Sequence, residues 1–249
     1  SLDVICSFIN SDFFVVEEGG IKIIYNRKFD KIYSGNFSLA EDIGKGIIKI
    51  FSDGMVKLIH KSGYELFDKN YEDAYLVNGK YILLLEDGKY GLFSILGKKI
   101  YNFIFDDVFQ EGSFILFQKD GLIAVSDSEK IFDDAFSINN HLNFFYIDYE
   151  YFDSGFLLLF TENEEELLDD KLNIIVPRTS QFIDFHPFGW TSKNEYGIKI
   201  FSKLFKFSFS TFFEDLKYSA LHFAEKRNSE WNMYSMSSGD MVMSSVDSL

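Results

Sequence analysis

Proline is nearly absent from this chain: Pro177 and Pro187 are the two in 249 residues. Alanine is scarce as well, at six residues, against 30 phenylalanines and 14 tyrosines. Alanine is the best helix former, whereas aromatic and β-branched residues suit a pleated, half-buried surface. The composition therefore points to strands. Cysteine occurs once, at Cys6, so no intrachain disulfide can form. No apolar run reaches the roughly 18 residues that a membrane helix needs. Positive charge is also short: 24 Lys and Arg face 39 Asp and Glu, for a net charge of −15. Such a surface repels phosphates and anionic lipid heads. Nucleic acid and membrane insertion are accordingly excluded as expectations, and a protein or peptide partner, possibly basic, is the reading that remains.

Apolar residues make up 47% of the sequence, enough for a real core. They are arranged in repeats. "FDDVF" at 105–109 returns as "FDDAF" at 132–136, as "YEDAY" at 71–75, as "FDKIY" at 29–33 and more loosely as "FEDLKY" at 213–218. Two aromatics and an aliphatic at i, i+3 and i+4 share one side of a tight turn, and the acid can accept turn N–H groups. Phe29, Asp30, Tyr71, Phe105, Asp106, Phe109, Phe132, Asp133 and Phe136 are thus expected to be structural anchors. A catalytic carboxylate pair would be one special site, and this motif recurs along the chain.

Between the anchors lie apolar runs of five to seven residues broken by Gly-containing turns, such as "EDGKYG" and "FSDGM". These are strand–turn–strand signals. The second strand of each copy is expected to hold Ile21, Val56, Leu92, Leu122, Leu167, Ile198 and Met233. The spacings are 35, 36, 30, 45, 31 and 35 residues, a period of about 35 that marks a repeat architecture. The expected fold is all-β: about seven tandem units in one domain over 1–249, arranged as a propeller-like ring or, alternatively, an open β-solenoid. The long interval suggests an inserted hairpin around 137–165. Residues 211–227 fit two patterns, because Thr211 and Glu214 make a capping box with helically spaced Phe213, Leu216, Ala220 and Phe223, while the repeat frame asks for strand.

The segment "DGKYGLFSILGKKIYNFIFDDVF" at 87–109 resembles the bacterial WG repeat, also called the KWG repeat. Lys89-Tyr90-Gly91 carries its signature with Tyr for Trp, Tyr196-Gly197 repeats the aromatic–Gly pair, and Trp231-Asn232 keeps the Trp. "IIVP" at 174–177 and "FGW" at 188–190 are similar to further steps of that repeat. The resemblance implies a non-enzymatic β repeat in a bacterium, with no catalytic residues to carry over. It makes Tyr90, Gly91, Tyr196, Gly197 and Trp231 further structural anchors. The start, SLDVIC, is neither Met nor signal-like, and localisation stays open between cytoplasm and, after leader removal, envelope or exterior.

The residues offer little chemistry. None of His60, His141, His186 and His222 stands at zinc-ligand spacing, and nucleophile-elbow and phosphate-loop motifs are missing. No metal and no cofactor is expected. "TENEEELLDD" at 161–170 gathers Glu162, Glu164, Glu165, Glu166, Asp169 and Asp170 without the glycine of a calcium loop, so a solvated acidic loop is expected. Trp190 has two readings, packing in the core, which is favoured, or stacking on a ligand from a strand that can face outward; on the second it joins these acids in the candidate partner surface. Three functions fit: a non-catalytic module that binds a protein or peptide, a glycan-binding or glycan-processing surface, and an acidic immunity- or inhibitor-type protein acting on a basic enzyme.

Overall fold

The computed structural model describes residues 5–127, 142–180, 182–186, 189–201 and 213–246. Every regular element among them is a strand. The first sheet holds β1 (Ile5–Phe8), β2 (Phe13–Glu18), β3 (Ile21–Asn26) and β4 (Lys31–Gly35). The second holds β5 (Leu39–Gly44), β6 (Ile47–Ser52) and β7 (Met55–His60). The third holds β8 (Asp73–Val77), β9 (Tyr81–Glu86), β10 (Lys89–Ser94) and β11 (Lys99–Phe105). The fourth holds β12 (Asp107–Glu111), β13 (Phe114–Lys119) and β14 (Leu122–Asp127). The fifth holds β15 (Asp148–Phe152), β16 (Phe156–Phe160), β17 (Glu165–Asp169) and β18 (Ile174–Ser180). The sixth holds β19 (Phe182–His186), β20 (Gly189–Asn194) and β21 (Gly197–Phe201). The seventh holds β22 (Asp215–Tyr218), β23 (His222–Arg227), β24 (Glu230–Ser235) and β25 (Met241–Val246).

All-β class and seven tandem units are therefore as the sequence implies. Each sheet is a meander of three or four neighbouring strands, the make-up of a propeller blade. Ile21, Val56, Leu92, Leu122, Leu167, Ile198 and Met233 each fall on the second strand of their sheet's central hairpin. The chain divides into two compact units, residues 1–111 with 115–142 and residues 112–114 with 143–249.

Recurrent Asp-Gly pairs stand where hairpin twist requires left-handed backbone. Asp87 and Gly88, for example, have φ of 51° and 69° between β9 and β10. The first strand of the central hairpin is covered on both faces in every sheet but the first, where β2 alternates. In β9, Tyr81, Ile82, Leu83 and Leu84 are all buried, which is why it reads as an unbroken apolar run.

The repeated aromatic–acid–acid motif turns out to join one sheet to the next. Tyr71 closes the second sheet through Val56, with N–O distances of 2.7 and 2.9 Å, and two residues later β8 opens the third. The Glu72 amide donates to Leu85 O, while its carboxylate accepts Asp87 N and Gly88 N at the left-handed turn of the following hairpin. Asp73 then takes the amide of Ala74. Phe105-Asp106-Asp107 repeats this: Asp106 N donates to Gln118 O, its carboxylate accepts Asp120 N, and Asp107 takes Val108 N. Phe213-Glu214-Asp215 does so again, through Ile198, Lys226 O, Ser229 N and Leu216 N. An acid is needed there because a left-handed turn points its amides outward with no strand to receive them.

Of the expected anchors, Tyr71, Phe105 and Trp231 are buried, Phe109 and Tyr90 are half-buried, and Asp106 is held by Lys89 and Asp120 N, which together keep its carboxyl below the usual range. Phe29 and Asp30 stand in a surface turn. Phe29 is 75% exposed and left-handed, in a β3–β4 turn organised by Asn26, whose side-chain oxygen accepts Lys28 N and Asp30 N. The first seam is made by Phe37 and Ser38 instead: Phe37 is buried and Ser38 N donates to Phe51 O. Tyr196 is likewise a turn residue, 72% exposed, ahead of Gly197 at φ 123°. Phe132, Asp133 and Phe136 lie outside the described residues.

Residues 211–227 are strand where described, because Phe213 exchanges backbone bonds with Ile198 and packs with Ile200, Phe223 and Tyr234. The hairpin expected as an insertion is the fifth sheet's own: Asp148–Phe152 and Phe156–Phe160 are its first two strands, in register with Leu157–Leu168 and its neighbours on β17. Length in excess of the period therefore falls before Asp148.

Gly91 explains the aromatic–Gly signature. A Cβ there would meet the Phe103 ring at 3.0 Å, so the ring lies flat over the glycine. Gly91→Ala should cost about 1–3 kcal/mol by overpacking, read as a lower urea midpoint at unchanged slope. A neutral result would show that Phe103 swings aside freely.

Candidate functional site

The acidic run at 161–170 is a hairpin, and its carboxylates part company. β17 is covered on both faces from Glu166 to Asp169, with Leu167 and Leu168 in the core, so two of its three acids are buried. Glu166 is buried and accepts the Tyr146 hydroxyl; burial, with that bond, pushes the Tyr146 phenol up. Asp169 is buried and closes the next turn, accepting Lys171 N, Asn173 N and Asn173 Nδ2 at 2.9–3.1 Å. Neither can meet a partner, which corrects the expectation of one solvated acidic loop. Asp170 is exposed at that same turn.

Glu162 and Glu164 sit at the β16–β17 tip. Thr161 fixes the tip: its hydroxyl accepts Glu164 N at 3.0 Å and donates to Glu164 O at 2.9 Å. Among the described residues, neither Glu162 nor Glu164 has an ion pair or a side-chain hydrogen bond. Beside them Glu165 accepts Ile183 N at 2.7 Å. Burial raises its carboxyl above the ordinary range; the Ile183 bond opposes this and the nearby Asp184 charge adds to it. Phe160, Thr161, Glu162, Asn163, Glu164, Glu165 and Phe182 line an open groove of about 490 Å³. Phe182 is 61% exposed. The groove thus offers carboxylates and an aromatic face, the two features that hold a Lys or Arg side chain.

Phe160, Asn163 and Phe182 were not foreseen. Phe182 was legible in principle, since "FIDF" alternates and Ile183 is the buried member. Trp190 takes the core reading, which removes it from the candidate partner surface. It lies on β20, the strand covered on both faces, is buried, and packs against Phe152, Phe156 and Phe185 at centroid distances of 5.1, 5.5 and 4.9 Å.

Two other titratable clusters stand out. His186 Nε2 lies 2.8 Å from Thr191 Oγ1, a base–hydroxyl spacing, and burial lowers the imidazole against the pull of Asp184. Thr191 is 5% exposed, too enclosed for a substrate to reach. Lys49, 5% exposed, pairs with Asp73 between the second and third sheets, with the Phe51 and Tyr75 rings 4.8 and 4.9 Å from its ammonium. Tyr75 donates to Asp73, and that bond raises its phenol to about 12. Among the described residues no three His, Cys, Asp or Glu gather closely enough to hold a metal, and no helix is long and apolar enough to cross a membrane.

Fold and site together define an all-β repeat protein of blade-like sheets with an acidic, aromatic groove. No family model and no curated protein matches the sequence. Solved structures are similar to it at low identity. Hsv2 of Kluyveromyces lactis is 11% identical with 100% of each chain covered and a TM-score of 0.32. The Pan2 WD40 domain of Neurospora crassa is 12% identical, with 88% of this chain and 84% of that one covered and a TM-score of 0.26. PorZ, a bacterial surface component of the type-IX secretion system of Porphyromonas gingivalis, is 10% identical over 94% of this chain and 38% of that one, with a TM-score of 0.26. What the site does has to be argued from its own residues.

Proposed function

We propose that this is a non-catalytic interaction module that captures a basic segment of a protein partner at the β16–β17 tip. The observation that carries the reading is the pair of carboxylates, Glu162 and Glu164, unpaired among the described residues, on a tip whose backbone Thr161 bonds and in one groove with the exposed Phe182 ring. On a chain of net charge −15 such a tip draws cations in by long-range attraction and then holds them by contact. An inhibitor of a basic enzyme is a narrower form of the same reading. The glycan reading loses its best stacking platform with the burial of Trp190. WG-like repeats belong to the proposal too, supported by the fit of Phe103 over Gly91 behind Tyr90.

The test uses fluorescein-labelled octalysine. Its association rate should fall steeply between 50 and 300 mM salt, since exposed charges are screened over about 8–10 Å. Glu162→Gln with Glu164→Gln should slow association several-fold, and Phe182→Ser should speed dissociation. Glu230→Gln, an exposed acid on another sheet, should change little. A salt-insensitive rate, or equal rates for the tip and control variants, would overturn the reading.

A further inference from the structure

The seam between the first and second sheets departs from the seam that follows it. In each of the first three sheets one cross-strand pair stands last but one before the central hairpin turn. In the second sheet this pair is Phe51 and Val56, which pack into the core shared with the third sheet. In the third it is Leu85 and Tyr90. The first sheet puts Glu17 and Lys22 there. Hydrocarbon that would fill the seam is missing, and a groove of about 330 Å³ takes its place, bordered by Phe8, Val15, Glu17, Phe37, Leu39 and their neighbours.

The groove has three properties of a peptide site. Its floor and rims are apolar: Val15 and Phe37 are buried beneath it, while Phe8 and Leu39 are 80% and 51% exposed beside it. Its charge is uncompensated. Lys22 turns away from Glu17, donating to Phe37 O at 2.8 Å and Ser38 O at 3.2 Å, with the Phe37 ring 5.5 Å from its ammonium. Among the described residues the half-buried Glu17 carboxylate has no ion pair and no side-chain hydrogen bond. A carboxylate so placed favours an incoming cation. Finally, two edge strands flank it. Among the described residues β1 pairs only with β2 and β5 only with β6, so each keeps a row of main-chain donors and acceptors for another strand.

We propose that this groove binds an extended peptide in which an apolar side chain and a lysine or arginine stand two residues apart. The apolar side chain enters between Phe8 and Leu39 over Val15 and Phe37, the cation meets Glu17, and the peptide backbone adds to an edge strand. Successive side chains of a strand point to opposite faces, so this spacing sets both on the face that meets Val15 and Glu17, which are themselves two residues apart on β2. The proposal rests on the reading of the protein as an interaction module but places a second contact on a different surface from the β16–β17 tip.

Three fluorescein-labelled heptapeptides test it: a leucine–lysine peptide, Ser-Leu-Ser-Lys-Ser-Leu-Ser, a leucine–glutamate peptide with glutamate for the lysine, and a glycine–lysine peptide with glycine for both leucines. Leucine–lysine should bind, and the other two at least tenfold more weakly. Glu17→Gln and Leu39→Ser should each weaken leucine–lysine binding about tenfold. Both changes fall on half-buried or exposed side chains, and an unchanged melting curve will show that the variants are folded. Hydrogen exchange should slow at amides of 5–8 or 39–44 when the peptide is bound. Glu162→Gln with Glu164→Gln should leave its affinity within twofold. Leucine–lysine affinity untouched by Glu17→Gln and Leu39→Ser, or matched by either control peptide, overturns the groove. Should that same binding be lost in the Glu162/Glu164 variant, or only octalysine bind, the interaction reading stands at the tip and the groove proposal alone falls.

Discussion

Phe105→Ala should destabilise the protein by about 3–5 kcal/mol, while Phe29→Ala should cost less than about 0.5 kcal/mol. Both residues open the same aromatic–acid pattern. Phe105 is fully buried, with Phe117 at 4.8 Å and Tyr101 at 5.5 Å between ring centroids, and it pairs through its backbone with Tyr90. Its removal leaves a cavity at the point where one sheet hands the chain to the next, where neighbours held by two sheets cannot collapse inward. Phe29 is 75% exposed and touches Phe14 edge-on at 5.4 Å, so alanine returns little surface to water. Urea unfolding would read the two as a large and a negligible fall in midpoint. Comparable losses at both sites, or a loss below about 1 kcal/mol at Phe105, would show that burial of the seam aromatic does not hold the sheets together.

That contrast marks how far the sequence could be read. Strand period, left-handed Asp-Gly turns and a 35-residue repeat are local signals, and they located all seven central hairpins. What the repeated acids do was not local. Glu72 and Asp106 reach turns about 15 residues on, and nothing in five residues of sequence tells such an acid from Asp30, whose turn is organised by Asn26. The true first seam, Phe37-Ser38, went unseen because serine stands in the acid's place. The candidate site was half legible for the same reason. An acidic run is visible, but that Glu166 is turned inward depends on Tyr146, 20 residues away, and that Glu162 and Glu164 remain outward depends on Thr161 and the strand register. Trp190 left two readings open because one strand residue does not show which faces are covered, and β20 is covered on both. Glu17 drew no notice at all, since its meaning lies in comparison with Phe51 and Leu85 at equivalent places in the neighbouring sheets.

Asp73→Ala should cost about 3 kcal/mol, nearly as much as losing a core aromatic, although the Asp73 side chain is 28% exposed. The cost arises at its partner. Lys49 has a side chain 7% exposed, and without Asp73 its ammonium keeps only the Phe51 and Tyr75 rings. Replacing both members, Lys49→Met with Asp73→Ala, should restore most of the loss, because a methionine fills the same space without a charge to satisfy. The pH dependence follows from the carboxyl. Burial opposes ionisation of Asp73, but bonds from Lys49, Tyr75 and Ala74 N outweigh it and hold the folded-state value below the ordinary one. A carboxyl depressed on folding contributes stability that is present above its unfolded value, about 3.9, and is lost as pH falls through the folded one. The gap between parent and Asp73→Ala should therefore be constant from about pH 5 to 7 and begin to narrow below about pH 4, where the unfolded chain's Asp73 takes up its proton before the folded protein's does. Denaturant unfolding at pH 3 and pH 7 measures this. A gap undiminished at pH 3, together with a double variant no more stable than Asp73→Ala alone, would mean that the aspartate acts through packing and not through its charge on Lys49.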